Sequence, residues 1–230
     1  MIVYQYRLDV NYRGSSGYGR EYIQQLAGNW GIVDVQDSIT AAQTLSSSPY
    51  NLVDKKRLVI RGGSAGGFTV LAALSIANDV KVFAAATSSY GVSDLRKLSE
   101  FTHKFESTYL DKLIGGTPNE IPEVYKARSP IDHVDNIVSP LLVSNPDVFF
   151  FFIFFKILFH FFQILQGELD LVVPKGQAEA IYESIKVRGG VVEYKLYPGE
   201  GHGWRKEENM RDSCERELAF YERALKLKQT

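Results

Sequence analysis

The sequence predicts an α/β fold, with a mostly parallel sheet covered by helices on both faces. Short apolar or β-branched runs recur at 57–60 (RLVI), 82–87 (VFAAAT), 141–142 with 164–165, and 191–197 (VVEYKLY). Amphipathic stretches with helical spacing lie before, between and after them, at 34–45, 66–77, 175–187 and 208–227. Strands alternating with helices argue for parallel pairing covered on both sides. At 230 residues the chain has room for one large domain with a substantial core.

In chain order, residues 1–11 (MIVYQYRLDVN) read as a strand, because no basic segment followed by an apolar stretch marks a secretory signal. The turns 115–118 (GGTP) and 129–130 (SP) read as loops, and neither an internal repeat nor an interdomain linker stands out. Charge is balanced, 26 Lys+Arg against 27 Asp+Glu for a net of −1, which argues against nucleic acid or an anionic membrane as partner. Cys214 is the single cysteine, so an intrachain disulfide and a Cys-based metal cluster are excluded. A reducing, cytoplasmic location is expected.

The chemistry-bearing stretch begins at residue 57 with RLVIRGGSAGG, a predicted strand running into Gly62–Gly63–Ser64–Ala65–Gly66 and then a predicted helix. Strand, G-x-S-x-G and helix is the context in which a serine sits on a sharp turn with its hydroxyl above the sheet. Side chains at positions 62 and 66 are expected to collide with the neighbouring strand and helix. Against this stands the plain reading of a flexible Gly-Ser turn.

A serine hydroxyl is a weak nucleophile near neutral pH and needs a base, which in turn needs an acid to fix its tautomer. This motif goes with the chain order serine, acid, histidine. His202 alone among the four histidines follows the last predicted strand, in PGEGHG, whereas His103, His133 and His160 read as surface or packing residues. A loop-capping histidine is the plain alternative for His202. The acid should end the preceding strand, and GELDLVVP offers Asp170, with Glu168 as competitor.

These segments together resemble the catalytic domain of the prolyl oligopeptidase family of serine peptidases, on its acylaminoacyl-peptidase and dipeptidyl-peptidase side. The resemblance runs through DVNYRGS and GYG (residues 9–19), NWG to Asp37, RLVIRGGSAGG, Ser129–Pro130, GELDLVVP and GEGHGWRKEEN. It implies an α/β-hydrolase fold, Ser64 as nucleophile, Asp170 as orienting acid and His202 as general base and acid. It further implies Ala65 as a backbone oxyanion donor, a covalent acyl-enzyme, and no metal or organic cofactor. The implied substrate is a peptide or acylated amino acid.

The sequence departs from that pattern twice. The family carries further strands, an oxyanion-completing segment and a β-propeller before the NYRGS segment, so an N-terminally truncated catalytic domain is expected. A lost oxyanion donor costs about 2.7–4 kcal/mol in turnover, and missing strands leave a sheet edge open. The second departure is a local excess: nine of the 14 Phe lie between positions 149 and 162. Removing residues 143–163 joins the flanks as SPLLILQGELDLVVP, one uninterrupted strand leading to Asp170.

Read as a membrane span, residues 148–165 would place Lys156 near the bilayer centre, at about 2.5–3.5 kcal/mol, and would separate Ser64 from Asp170. Read as a helix, the block is apolar on every face and needs burial all round. The favoured expectation is a non-native insert over 143–163, a retained intron translated in frame. Val143–Ser144 can be encoded as a splice donor, and Phe161–Phe162–Gln163 as a pyrimidine tract and acceptor. Looping the block out costs about 3 kcal/mol in closure entropy. Nine phenylalanines in water forgo roughly 18 kcal/mol of burial, more than a typical domain's stability.

The reading that results is one partial catalytic domain over 1–230, interrupted at 143–163, hydrolysing peptide or N-acyl-aminoacyl bonds through Ser64, Asp170 and His202. A carboxylesterase with the same triad, or an inactive misspliced product, are the alternatives.

Overall fold

The structure, a computed structural model, describes residues 6–101, 104–137 and 161–227. Among these, four strands form one parallel sheet: β1 (Val59–Gly63), β2 (Ala85–Ser89), β3 (Phe161–Gly167) and β4 (Val191–Tyr197), in the spatial order β1-β2-β3-β4. The helices are α1 (Arg20–Gln24), α2 (Val33–Leu45), α3 (Ala65–Ser75), α4 (Leu95–Phe101), α5 (Lys104–Ile114), α6 (Pro122–Ala127), a 3-10 segment (Pro130–Asn136), α7 (Lys175–Val187) and α8 (Glu207–Ala224).

Alternation along the strands assigns each helix a face. Ala86, Phe162 and Ile164 turn to one side, into a core with Val70, Leu71 and Leu74 of α3 and Ile181 and Ile185 of α7. Val59, Ala85 and Phe161 turn to the other, against Phe220 and Tyr221 of α8. Both faces are thus covered, as the alternation of strands and helices predicts. A second core lies beside the sheet, where Trp30, Phe68, Leu95, Leu110, Ile114, Tyr125 and Val173 meet. It ties the first turn of α3, which begins next to Ser64, to the segment that follows Asp170.

Two buried or half-buried acids on α2 tie the N-terminal half together and to α3. Asp37 of α2 accepts hydrogen bonds from the Arg13 backbone N–H at 2.7 Å and from the Arg13 guanidinium at 2.8 Å, which anchors the segment before α1. Asp34, fully buried, accepts from the Gly31 N–H and the Thr69 hydroxyl, both at 2.7 Å. Burial pushes the Asp34 carboxyl above its ordinary value, against the pull of these hydrogen bonds.

Among the predicted strands, the structure differs from the sequence reading in three places. Residues 6–11 carry no strand, and Tyr6 and Leu8 stand exposed; residues 1–5 of that predicted strand lie outside the described residues. β1 and β2 end two or three residues later than their apolar runs, because Gly62 and Gly63 pair with Ser88 and Ser89. β3 takes in Phe161, Phe162 and Gln163, counted above with the insert: they pair with Ala85, Ala86 and Thr87, and Phe162 is fully buried. The rest of the block up to residue 160, with the flanking Leu141 and Leu142, lies outside the described residues.

Candidate active site

The C-terminal ends of the parallel strands carry the predicted residues. Ser64 follows β1 directly and precedes α3, with φ 55° and ψ −119°. A non-glycine residue held there stores about 1–3 kcal/mol of strain, which the surroundings must overrule. They do so through two backbone bonds: the Ser64 N–H donates to Ser89 O at 3.0 Å, and Ser64 O accepts from the Phe68 N–H at 3.0 Å, starting the helix.

Gly62 makes that turn possible. A Cβ on it would lie 2.3 Å from Gly66 O, inside the first turn of α3. Gly66 itself behaves otherwise: a Cβ there meets nothing within 4 Å, so the expected collision of a side chain at position 66 does not occur. The crowding is between backbone atoms of Gly66 and the missing side chain of residue 62. Gly62→Ala is therefore expected to cost about 3 kcal/mol or more and to lower the melting temperature by several degrees. Gly66→Ala should leave it within about 2 °C of wild type or raise it, since alanine favours the helix. Equal melting temperatures for the two variants would contradict this account.

Asp170 lies three residues beyond β3, with its side chain fully buried. Four donors surround the carboxylate. Oδ1 accepts from the Val172 and Val173 N–H groups, each at 2.9 Å, and Oδ2 accepts from Gln166 Nε2 at 3.2 Å and His202 Nδ1 at 2.9 Å. Such an arrangement compensates a buried charge, because each lone pair lost from water finds an N–H.

His202 follows β4 and completes the line: its Nε2 lies 2.8 Å from Ser64 Oγ. The carboxylate can only accept, so Nδ1 carries the proton and Nε2 offers its lone pair to the serine hydroxyl. Tyr90, itself at φ 41°, sets its ring 4.9 Å from the imidazole at 63°, and Trp204 lies edge-on to Tyr90 at 5.3 Å. Ala65, the first residue of α3, has no acceptor for its N–H among the described residues and is exposed beside Ser64.

The structure thus brings Ser64, Asp170 and His202 together with Ala65 and leaves Glu168 out. Glu168 is exposed and accepts from the Gly199 N–H at 3.0 Å, on the loop before the histidine. His133 lies in the 3-10 segment, away from this line, and His103 and His160 lie outside the described residues. Sequence reasoning missed Gln166 and Glu200. Gln166, fully buried, donates to Asp170 and to Val173 O at 3.1 Å, and a lone amide inside ILQG was the available signal.

Close approach of backbones locks acid and base loops together. A Cβ on Gly167 would lie 2.1 Å from Gly201 O, so glycine at the end of β3 lets the histidine loop pass. The Glu168 N–H donates to Tyr197 O at 3.1 Å and the Leu169 N–H to Glu200 O at 2.8 Å. No group of metal-ligating side chains is present among the described residues, and no helix among them is long and apolar enough to cross a membrane.

Comparison with known proteins adds to this geometry. A puromycin-hydrolysing peptidase of Mycobacterium tuberculosis, of solved structure, is 41% identical, with a TM-score of 0.80, over 94% of this chain and 29% of its own. Dipeptidyl aminopeptidase BIII of Pseudoxanthomonas mexicana is 27% identical over 206 residues, 88% of this chain and 26% of its own length. The acylamino-acid-releasing enzyme of Arabidopsis thaliana is 26% identical over 203 residues, 85% of this chain and 23% of its own. The chain spans about a quarter of the length of these two relatives. The fold is that of the α/β-hydrolases. A profile of the prolyl oligopeptidase family matches residues 6–150 and 158–228, passing over 151–157 within the phenylalanine block. With nearly the whole chain matched on either side of that interval, this chain belongs to the prolyl oligopeptidase family.

Proposed function

We propose that the chain is a serine hydrolase that cleaves peptide or N-acyl-aminoacyl bonds through Ser64, His202 and Asp170. The observation that carries this is the unbroken line of hydrogen bonds from Ser64 Oγ to His202 Nε2 at 2.8 Å and from His202 Nδ1 to Asp170 Oδ2 at 2.9 Å. As Oγ attacks the substrate carbonyl, its proton passes to Nε2, and the imidazolium is stabilised by the buried carboxylate. Negative charge on the carbonyl oxygen is taken up by the Ala65 N–H, at the N-terminus of α3 where the helix dipole also favours it. His202 then gives the proton to the leaving amine. Water, activated by the same nitrogen, releases the acyl group from Ser64.

The substrate class rests on the relatives, which are named for puromycin, dipeptides and acylated amino acids. A fluorophosphonate probe is expected to label Ser64, and a panel of puromycin, N-acetyl-aminoacyl anilides and dipeptidyl anilides should show turnover of at least one. Turnover of p-nitrophenyl esters with none of the three would replace this reading by a carboxylesterase. Absence of labelling in folded protein would leave a chain without hydrolytic chemistry. No metal or organic cofactor enters any step, so a chelator should leave the rate unchanged.

A further inference from the structure

We propose that Glu200 is a positioning residue for the His202 base, holding the histidine loop onto α8; this rests on the triad reading above. Its side chain is buried, with 1% of the residue exposed, and none of the chemical steps uses it. A carboxylate removed from water needs compensating donors, and Glu200 has three on the far side of the loop. Oε2 accepts from the Arg205 N–H at 2.9 Å, and Oε1 accepts from the Lys206 N–H at 2.9 Å and from Asn209 Nδ2 at 2.8 Å. The Asn209 hydrogen bond, with the two backbone N–H groups, holds the carboxyl below its ordinary value.

These bonds close residues 200–206 into a loop around His202. The main chain of Glu200 faces the opposite way, taking the Leu169 N–H from the segment that carries Asp170. Residue 200 therefore connects three things: the acid's segment through its carbonyl, the base two positions on, and the start of α8 through its carboxylate. Lys206, which precedes α8, provides no side-chain cap of its own. Where Gly201 passes Gly167 the contact is backbone against backbone and leaves no slack on the sheet side. Any slack in the loop must then open on the α8 side, where the three bonds to the Glu200 carboxylate are joined by one exposed bond from Lys206 Nζ to Pro198 O at 3.3 Å. Movement there shifts Nε2 relative to Ser64, and a displacement of about 1 Å can cost about 10²-fold in rate.

A cap for α8 and a positioning device make different predictions. Both allow the melting temperature of Glu200→Gln to fall, since the amide nitrogen faces a backbone donor. Only positioning requires kcat to fall about tenfold with KM within about twofold, and labelling of Ser64 by fluorophosphonate to slow by the same factor. It further requires the loss to vanish in a His202→Ala background, where no base remains to be placed. Asn209→Ala removes one of the three bonds and should slow labelling about threefold, so the proposal stays testable if Glu200→Gln fails to fold. Wild-type labelling rates in whichever of these variants folds would overturn the proposal while leaving the triad reading intact. An unlabelled wild-type chain would remove both.

Discussion

Deleting residues 143–163 is expected to raise the soluble yield several-fold over the 230-residue chain. Seven of the block's nine phenylalanines fall at 149–159, and a run apolar on every side can be accommodated only by burial all round. The family profile passes over 151–157, in the middle of that run. The other two, Phe161 and Phe162, have a place in the fold, which makes the boundary informative. In the shortened chain Leu142 precedes Ile164 and takes the register of Gln163 opposite Thr87, and Leu141 takes that of Phe162 opposite Ala86. An aliphatic side chain replaces a buried amide whose oxygen accepts a long bond of 3.4 Å from Thr87. A second deletion, of 143–160, retains Phe161–Gln163 and hence the observed strand. Both should improve yield over the full chain. If neither exceeds the full chain in soluble yield, the block does not limit solubility.

The parts legible in the sequence are those whose signal is local. β4 and α7 occur at their predicted bounds, since an alternating or amphipathic run is closed by Gly189–Gly190, Pro174 or Pro198. β1 was read short because glycine ordinarily ends a strand. Here Gly62 and Gly63 continue it, for a reason visible only in three dimensions: the backbone of α3 returns to within 2.3 Å of where a Cβ would be. The helices α4 to α6 are not legible because, among the residues whose burial is described, each places only one or two, such as Leu95, Leu110 and Tyr125, in the core beside the sheet. That is too few to establish a period. Ser64, Asp170 and His202, which the structure brings into one hydrogen-bonded line, stand out in the sequence because the proposed chemistry dictates their residue types and the strand, G-x-S-x-G, helix motif goes with the order serine, acid, histidine. Glu200 does not, because an acid between two glycines reads as solvent-exposed loop until α8 is seen to cover it.

Ser64→Ala is expected to reduce kcat by roughly 10⁴- to 10⁶-fold on any substrate the chain hydrolyses, and His202→Ala by a similar factor. Combining the two should cost little more than either alone, because attack requires both the oxygen and the base that takes its proton. Asp170→Asn is the sharper test of the geometry. Its amide nitrogen could replace Oδ2 beside His202 Nδ1 and impose the other tautomer, with a proton on Nε2 pointing at Ser64 Oγ. The base would then be blocked in place, and kcat should fall about 10⁴-fold without loss of the fold. Glu168→Gln, which keeps an acceptor for the Gly199 N–H, should stay within about threefold of wild type because Glu168 is exposed and does not touch His202. A large loss at Glu168 combined with a small one at Asp170 would reassign the acid. Comparable small losses at both would mean that the imidazole needs no carboxylate, and the four hydrogen bonds converging on Asp170 would have to be explained by folding alone.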